Sequence, residues 1–220
     1  MKKFAFILSF LFCLSFLFGC NGKPTLIENL SELRTDVFYG ESENYKLKAS
    51  YGFKESPFIN DGKVGKTEYA IEFRLLEKTD DASYSISFPL NGTTVSASFS
   101  PNPVSHLLCA RVQTEGFNQK EFSVTISCGG NQETIVLKSL LPQNTITFDK
   151  ALSSLYNGQK DFIDTIYDQN GNFNAEIYLR VLVKDQKPYW YVGIARGNND
   201  LKALLIDGLD GKILAIREIF

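Results

Sequence analysis

Tyr45-Lys46-Leu47-Lys48-Ala49-Ser50-Tyr51 and Glu68-Tyr69-Ala70-Ile71-Glu72-Phe73-Arg74-Leu75-Leu76 place an apolar side chain at every second position. Successive side chains of an extended strand point to opposite faces, so this spacing predicts strands with one buried and one polar face. The same signal returns at Tyr84–Phe88, Thr94–Phe99, Leu107–Val112, Phe122–Ile126 and Thr134–Leu137. Turn-forming residues separate the runs: Asn60-Asp61-Gly62, Asn91-Gly92, Pro101-Asn102-Pro103, Glu115-Gly116 and Gly129-Gly130-Asn131. Short strands with frequent turns predict an antiparallel β-sandwich over residues 44–140.

Pro142 ends this pattern. Phe148, Ala151, Leu152 and Leu155 fall on one helical stripe, with Thr145 or Thr147 as N-cap. Strand patterns then follow at Ala175–Val183, Tyr189–Ala195, Leu201–Ile206 and Lys212–Ile216. Residues 145–220 are therefore expected to form an α+β unit, a helix packed on an antiparallel sheet. Alternation sends Trp190 under that helix and Tyr189 and Tyr191 to the opposite face, where they would form a binding surface. The fold expected is mostly β with an α+β C-terminal part.

The other end of the chain reads as an address. Lys2 and Lys3 precede an uncharged apolar run, Phe4–Phe18, that closes on Leu17-Phe18-Gly19-Cys20. A charged start, a short apolar stretch and a small residue before the cut describe an export signal. The run falls short of the roughly 20 residues a membrane-crossing helix needs. It resembles the lipobox of bacterial lipoproteins, with Leu17, Gly19 and Cys20 at the defining positions. That resemblance implies a signal peptide over 1–19, lipid on Cys20, and a protein held on the outer face of the cell membrane. Residues 20–43 then read as anchor and polar spacer, in which Leu26, Leu30 and Leu33 would allow a helical turn or two.

Two further resemblances cover the body. Residues 44–140 are similar in outline to the immunoglobulin-like domains of bacterial surface proteins, on strand number alone. The run Tyr189-Trp190-Tyr191-Val192 to Ala203-Leu204-Leu205-Ile206-Asp207, with Asp210-Gly211-Lys212-Ile213-Leu214 after it, looks like the end of a PepSY-type domain. That likeness implies a cystatin-like helix on a curved sheet and a non-catalytic module, in some cases tied to peptidase regulation. No functional residue transfers with it.

Composition narrows the function. The net charge of −2 includes Lys2 and Lys3, which offers no footprint for nucleic acid. After processing at Cys20, Cys109 and Cys128 remain as an even pair in an exported chain. A hairpin centred at Asn118–Gln119 would set them opposite each other, and two readings stand: a disulfide, or two buried free thiols. His106 is the single histidine, and it lacks a Gly-x-Ser-x-Gly elbow or a partner cysteine motif, so it reads as a structural residue at a strand edge. Asp168-Gln169-Asn170-Gly171-Asn172 opens like a calcium loop, but Phe173 and Leu179 occupy the sixth and twelfth positions, which favours a hairpin turn. Asp207 and Asp210 read as turn residues for the same reason. No catalytic residue, metal site or cofactor is expected. The function that follows is non-catalytic binding of a protein or peptide outside the membrane, with a motif-poor carboxylate hydrolase and a structural spacer as the competing readings.

Overall fold

The computed structural model describes residues 26–57, 59, 61–77, 83–197 and 200–219. The export signal and Cys20 lie outside them. A 3-10 turn at Leu26–Asn29 leads directly into β1 (Leu30–Glu41). Then follow β2 (Lys46–Glu55), β3 (Thr67–Glu77), β4 (Tyr84–Leu90), β5 (Thr93–Ser98), β6 (Ser100–Pro101), β7 (Leu108–Gln113), β8 (Glu121–Cys128) and β9 (Asn131–Ser139). Helices α1 (Phe148–Gly158) and α2 (Lys160–Asp164) precede β10 (Glu176–Lys184), β11 (Lys187–Arg196), β12 (Asp200–Asp207) and β13 (Ile213–Ile219).

All thirteen strands belong to one sheet. β1, β2, β3 and β7 are antiparallel neighbours in that order, and β9, β8, β4 and β5 extend from the other edge of β1. After Phe99 the chain of β5 continues as β6, which pairs with β7 through Ser100–Cys109 and Pro101–Leu108. The ring is thereby nearly closed into a barrel. This overturns the expected immunoglobulin-like β-sandwich followed by a separate α+β domain, since the chain is 57% strand and 11% helical on a single barrel-like sheet. The expected strands exist; their partners differ. The reason is visible at Phe117, which is buried, donates its N–H to the Tyr51 hydroxyl at 3.3 Å and packs edge-on against Phe38 and Phe122. The segment read as a β7–β8 hairpin turn instead sends Phe117 into the barrel core, and β7 and β8 are not paired. Phe38, Phe73, Phe88 and Phe122 fill the interior beside it, in the edge-to-face and tilted geometries that add to simple burial.

β1 joins the two halves. Its first residues pair in parallel with β10 (Leu33 with Leu179, Arg34 with Arg180), and its later ones with β9 (Phe38 with Ser139). A bulge between Arg34 and Asp36 marks the change of partner, as expected of an extra residue that bends a strand. Strands β10 to β13 thus continue the same sheet as a wing, and α1 covers one face of it. Thr147 caps α1, and Ala151, Leu152 and Leu155 meet Trp190, Val192, Leu204 and Ile206 in a second core. The Trp190 indole N–H donates to the Ile146 carbonyl at 3.1 Å, so burial leaves no unmet donor on that ring. Residues 30–41, expected within a spacer, are therefore the most central strand of the fold.

Candidate functional site

Where β10 parts from β1, a cleft opens on the outer face of the sheet. Val181, Leu182 and Val183 form one wall and Val37, Ala49 and Ser50 the other, with Arg34, Lys48, Glu72 and Arg74 around them. Its volume is about 80 Å³. A wider depression of about 260 Å³ runs on from it across β1, β2 and β3 toward Ser56 and shares Arg34, Ser50 and Glu72 with it. Alternation builds this face: Lys48, Glu72 and Arg74 sit between the buried pairs Leu47 and Ala49, Ile71 and Phe73, and Phe73 and Leu75. Gly52 floors the groove, because a Cβ there would lie 1.9 Å from the Leu33 carbonyl oxygen.

The charges form a ladder across the strands. Glu32 is 5% exposed and accepts from Arg34 at 3.2 Å and from Arg180 across the β1–β10 seam. Arg74 places both Nε and Nη2 on Glu72 Oε1, at 2.8 and 2.5 Å. Glu68 meets Lys66 at 3.3 Å and Arg111 at 3.8 Å, and accepts from Gln113. The Lys48 ammonium, near Arg34 and Arg74, has neither a hydrogen bond nor an ion pair among the described residues. Partial burial, with Arg34 and Arg74 nearby, holds its ammonium below the ordinary lysine value. Burial likewise lowers Arg34, with Arg74 and Arg180 adding to the effect and Glu32 opposing it. Burial would raise Glu72, but the Arg74 guanidinium outweighs it and holds the carboxyl below its usual range.

Tyr189 and Tyr191 are half-buried on the same outer face, and Tyr191 stands opposite Arg180 on β10. Its ring lies over Gly193, 3.5 Å from where a Cβ would be, beside Tyr178. The expected pairing of Cys109 and Cys128 is not formed. Cys109 is flanked by Arg74 and Ser100, Cys128 by Tyr84 and Asn131, and both thiols are free. Strands β6, β5 and β4 lie between the two strands that a hairpin would have joined. His106 is exposed in the turn after β6, its N–H on the Asn102 carbonyl. Asp168 accepts from the N–H groups of Asn170 and Asn172 at 2.8 Å each, which makes it a turn-former. Asp207 does the same for Leu209 and Asp210.

Sequence reasoning missed Glu32, Arg34, Lys48, Glu72, Arg74 and Arg180 as a group. Lys48, Glu72 and Arg74 read as the polar halves of alternating strands, Arg180 as a lone charge in an apolar one, and Glu32 and Arg34 fall in the expected spacer; only the pairing of β1 with both β2 and β10 assembles them. Among the described residues no group of His, Cys, Asp and Glu is arranged to hold a metal ion, and no helix is long and apolar enough to cross a membrane. No family model, curated protein or solved structure matches the chain.

Proposed function

We propose that this chain is a non-catalytic binding protein of the bacterial cell envelope, exported and held at the membrane by lipid on Cys20, and that it engages a protein or peptide through the outer face of its sheet. The observation that carries this reading is the groove running from the β1–β10 fork across β1 to β3, apolar at Leu182 and Val183, charged along the wider depression and floored by Gly52. A concave strip with apolar contact at one end and fixed charges along its length suits recognition of an extended segment. Tyr189 and Tyr191 extend the same face and supply aromatic area beyond the fork.

The test is site-specific photo-crosslinking in intact cells. A crosslinker at Ser50, in the groove, should trap one defined partner that a crosslinker at Val136, exposed on β9, does not. The same set of products from both positions would overturn the groove as the binding face. The anchor is tested separately: Cys20→Ala should release the protein from membranes or leave it unprocessed, since stable attachment needs more than one acyl chain. Unchanged membrane retention and mass would remove that part of the reading.

A further inference from the structure

We propose that the cleft at the β1–β10 fork is a carboxylate-binding pocket that takes a Glu or Asp side chain of an extended partner segment. This inference deepens the binding reading above and rests on it.

Three cations, Arg34, Lys48 and Arg74, line the cleft against one carboxylate, Glu72. Glu72 is already committed to Arg74 through both Nε and Nη2. Arg34 gives one bond to Glu32, a carboxylate it shares with Arg180. Among the described residues Lys48 has no counter-ion, and both neighbouring guanidiniums repel it. Like charges gathered at one place cost free energy unless an anion joins them, and a half-enclosed setting raises that cost by excluding water. Such an arrangement on a chain of net charge −2 suits binding of an anion at this one place rather than a general basic surface.

Size and walls choose among anions. About 80 Å³ equals between two and three water volumes, enough for a carboxylate and the methylene beside it. Leu182, 39% exposed, and the half-buried Val183 offer apolar contact to that methylene. Glu72 inside the cleft disfavours a dianion and tolerates a monoanion. The ligand chain continues past the pocket, because the cleft opens into the wider depression through Arg34, Ser50 and Glu72. A side-chain carboxylate fits that path. Arg34 and Lys48 would donate to the incoming oxygens as charge-assisted hydrogen bonds.

The test uses the full chain in detergent micelles and three probes: N-acetyl-glutamate methylamide, the neutral N-acetyl-glutamine methylamide, and inorganic phosphate. Amide chemical shifts are followed by NMR. The glutamate probe should give saturable shifts at residues 34, 48, 74 and 181–183, with at least tenfold weaker binding of the glutamine probe. Lys48→Met should reduce affinity for the glutamate probe at least fivefold with the shift pattern otherwise native, and Lys138→Met, on exposed β9, should leave it unchanged. Equal binding of the two amino-acid probes, tighter binding of phosphate, or an unaltered affinity in Lys48→Met would overturn the inference. If Ser50 still traps its defined partner while Lys48→Met has no effect on that yield, the binding face stands and the carboxylate pocket falls. Loss of the Ser50-specific product in the unsubstituted protein strikes the binding reading itself.

Discussion

Glu32→Gln removes a carboxylate that, among the described residues, ties β1 to β10 through Arg180. Glu32 is 5% exposed and accepts from Arg34, whose side chain is 19% exposed, and from Arg180, at 37%. Hydrogen bonds to charged groups contribute about 1.5–3 kcal/mol each, and a glutamine oxygen can keep one of them in weaker, neutral form. Arg180 can turn to water, whereas Arg34 stays largely covered beside Arg74 and Arg180, which already disfavour its charge. The expected loss is about 2–4 kcal/mol, at or just below the roughly 3–5 kcal/mol typical of breaking a buried pair. For a chain of this length that lowers the melting temperature by about 5–15 °C. Thermal melts at neutral pH measure it directly, with Glu68→Gln as comparator, since the Lys66 that Glu68 meets is 78% exposed and such pairs contribute at most about 1 kcal/mol. A loss for Glu32→Gln no larger than for Glu68→Gln would refute the claim that this carboxylate secures the seam.

Three further outcomes follow from the same geometry. Trp190→Ala, which deletes a 3%-exposed ring and strands the Ile146 carbonyl, should cost about 3–5 kcal/mol by urea denaturation, and the native protein should show blue-shifted fluorescence resistant to iodide. Gly52→Ala forces a Cβ against the Leu33 carbonyl and should destabilise by more than 2 kcal/mol, on the order of a severe backbone clash, whereas Gly92→Ala meets nothing within 4 Å and should lose only what its positive φ costs. Because the folded pKa of Glu72 is depressed below its unfolded value, its contribution is present above the unfolded value and lost as pH falls through the folded one. Wild type should therefore lose more stability than Glu72→Gln below about pH 4, and parallel pH profiles would contradict this.

The strands were legible in the sequence wherever one face is buried and the other wet. Tyr45 to Tyr51 and Ile71 to Leu75 alternate cleanly because the barrel interior takes one side and water the other. β1 carries no such signal. Leu30, Ser31, Glu32 and Leu33 are all buried, since partners flank both edges and both faces are covered, so the helical spacing of Leu26, Leu30 and Leu33 is incidental. Helix α1 and the burial of Trp190 were readable from a single stripe of apolar residues. Pairing was not. Phe117 sits among Glu115, Gly116, Asn118 and Gln119, a turn by composition, yet its ring is buried in the barrel core, and Cys109 and Cys128 lie on strands that are not neighbours. The charged cleft is a product of that pairing, because residues 34, 48, 72, 74 and 181–183 converge only once β1 has chosen its neighbours.

Hydrogen exchange of the β1 amides tests the account most directly. If β1 is the strand shared by both cores, amides 33, 34, 37 and 38 should exchange only with global unfolding, as slowly as those of β2 and β11, and in one cooperative transition with them. Rapid exchange across residues 30–41, with residues 44–140 and 145–220 each protected and unfolding separately, would contradict it.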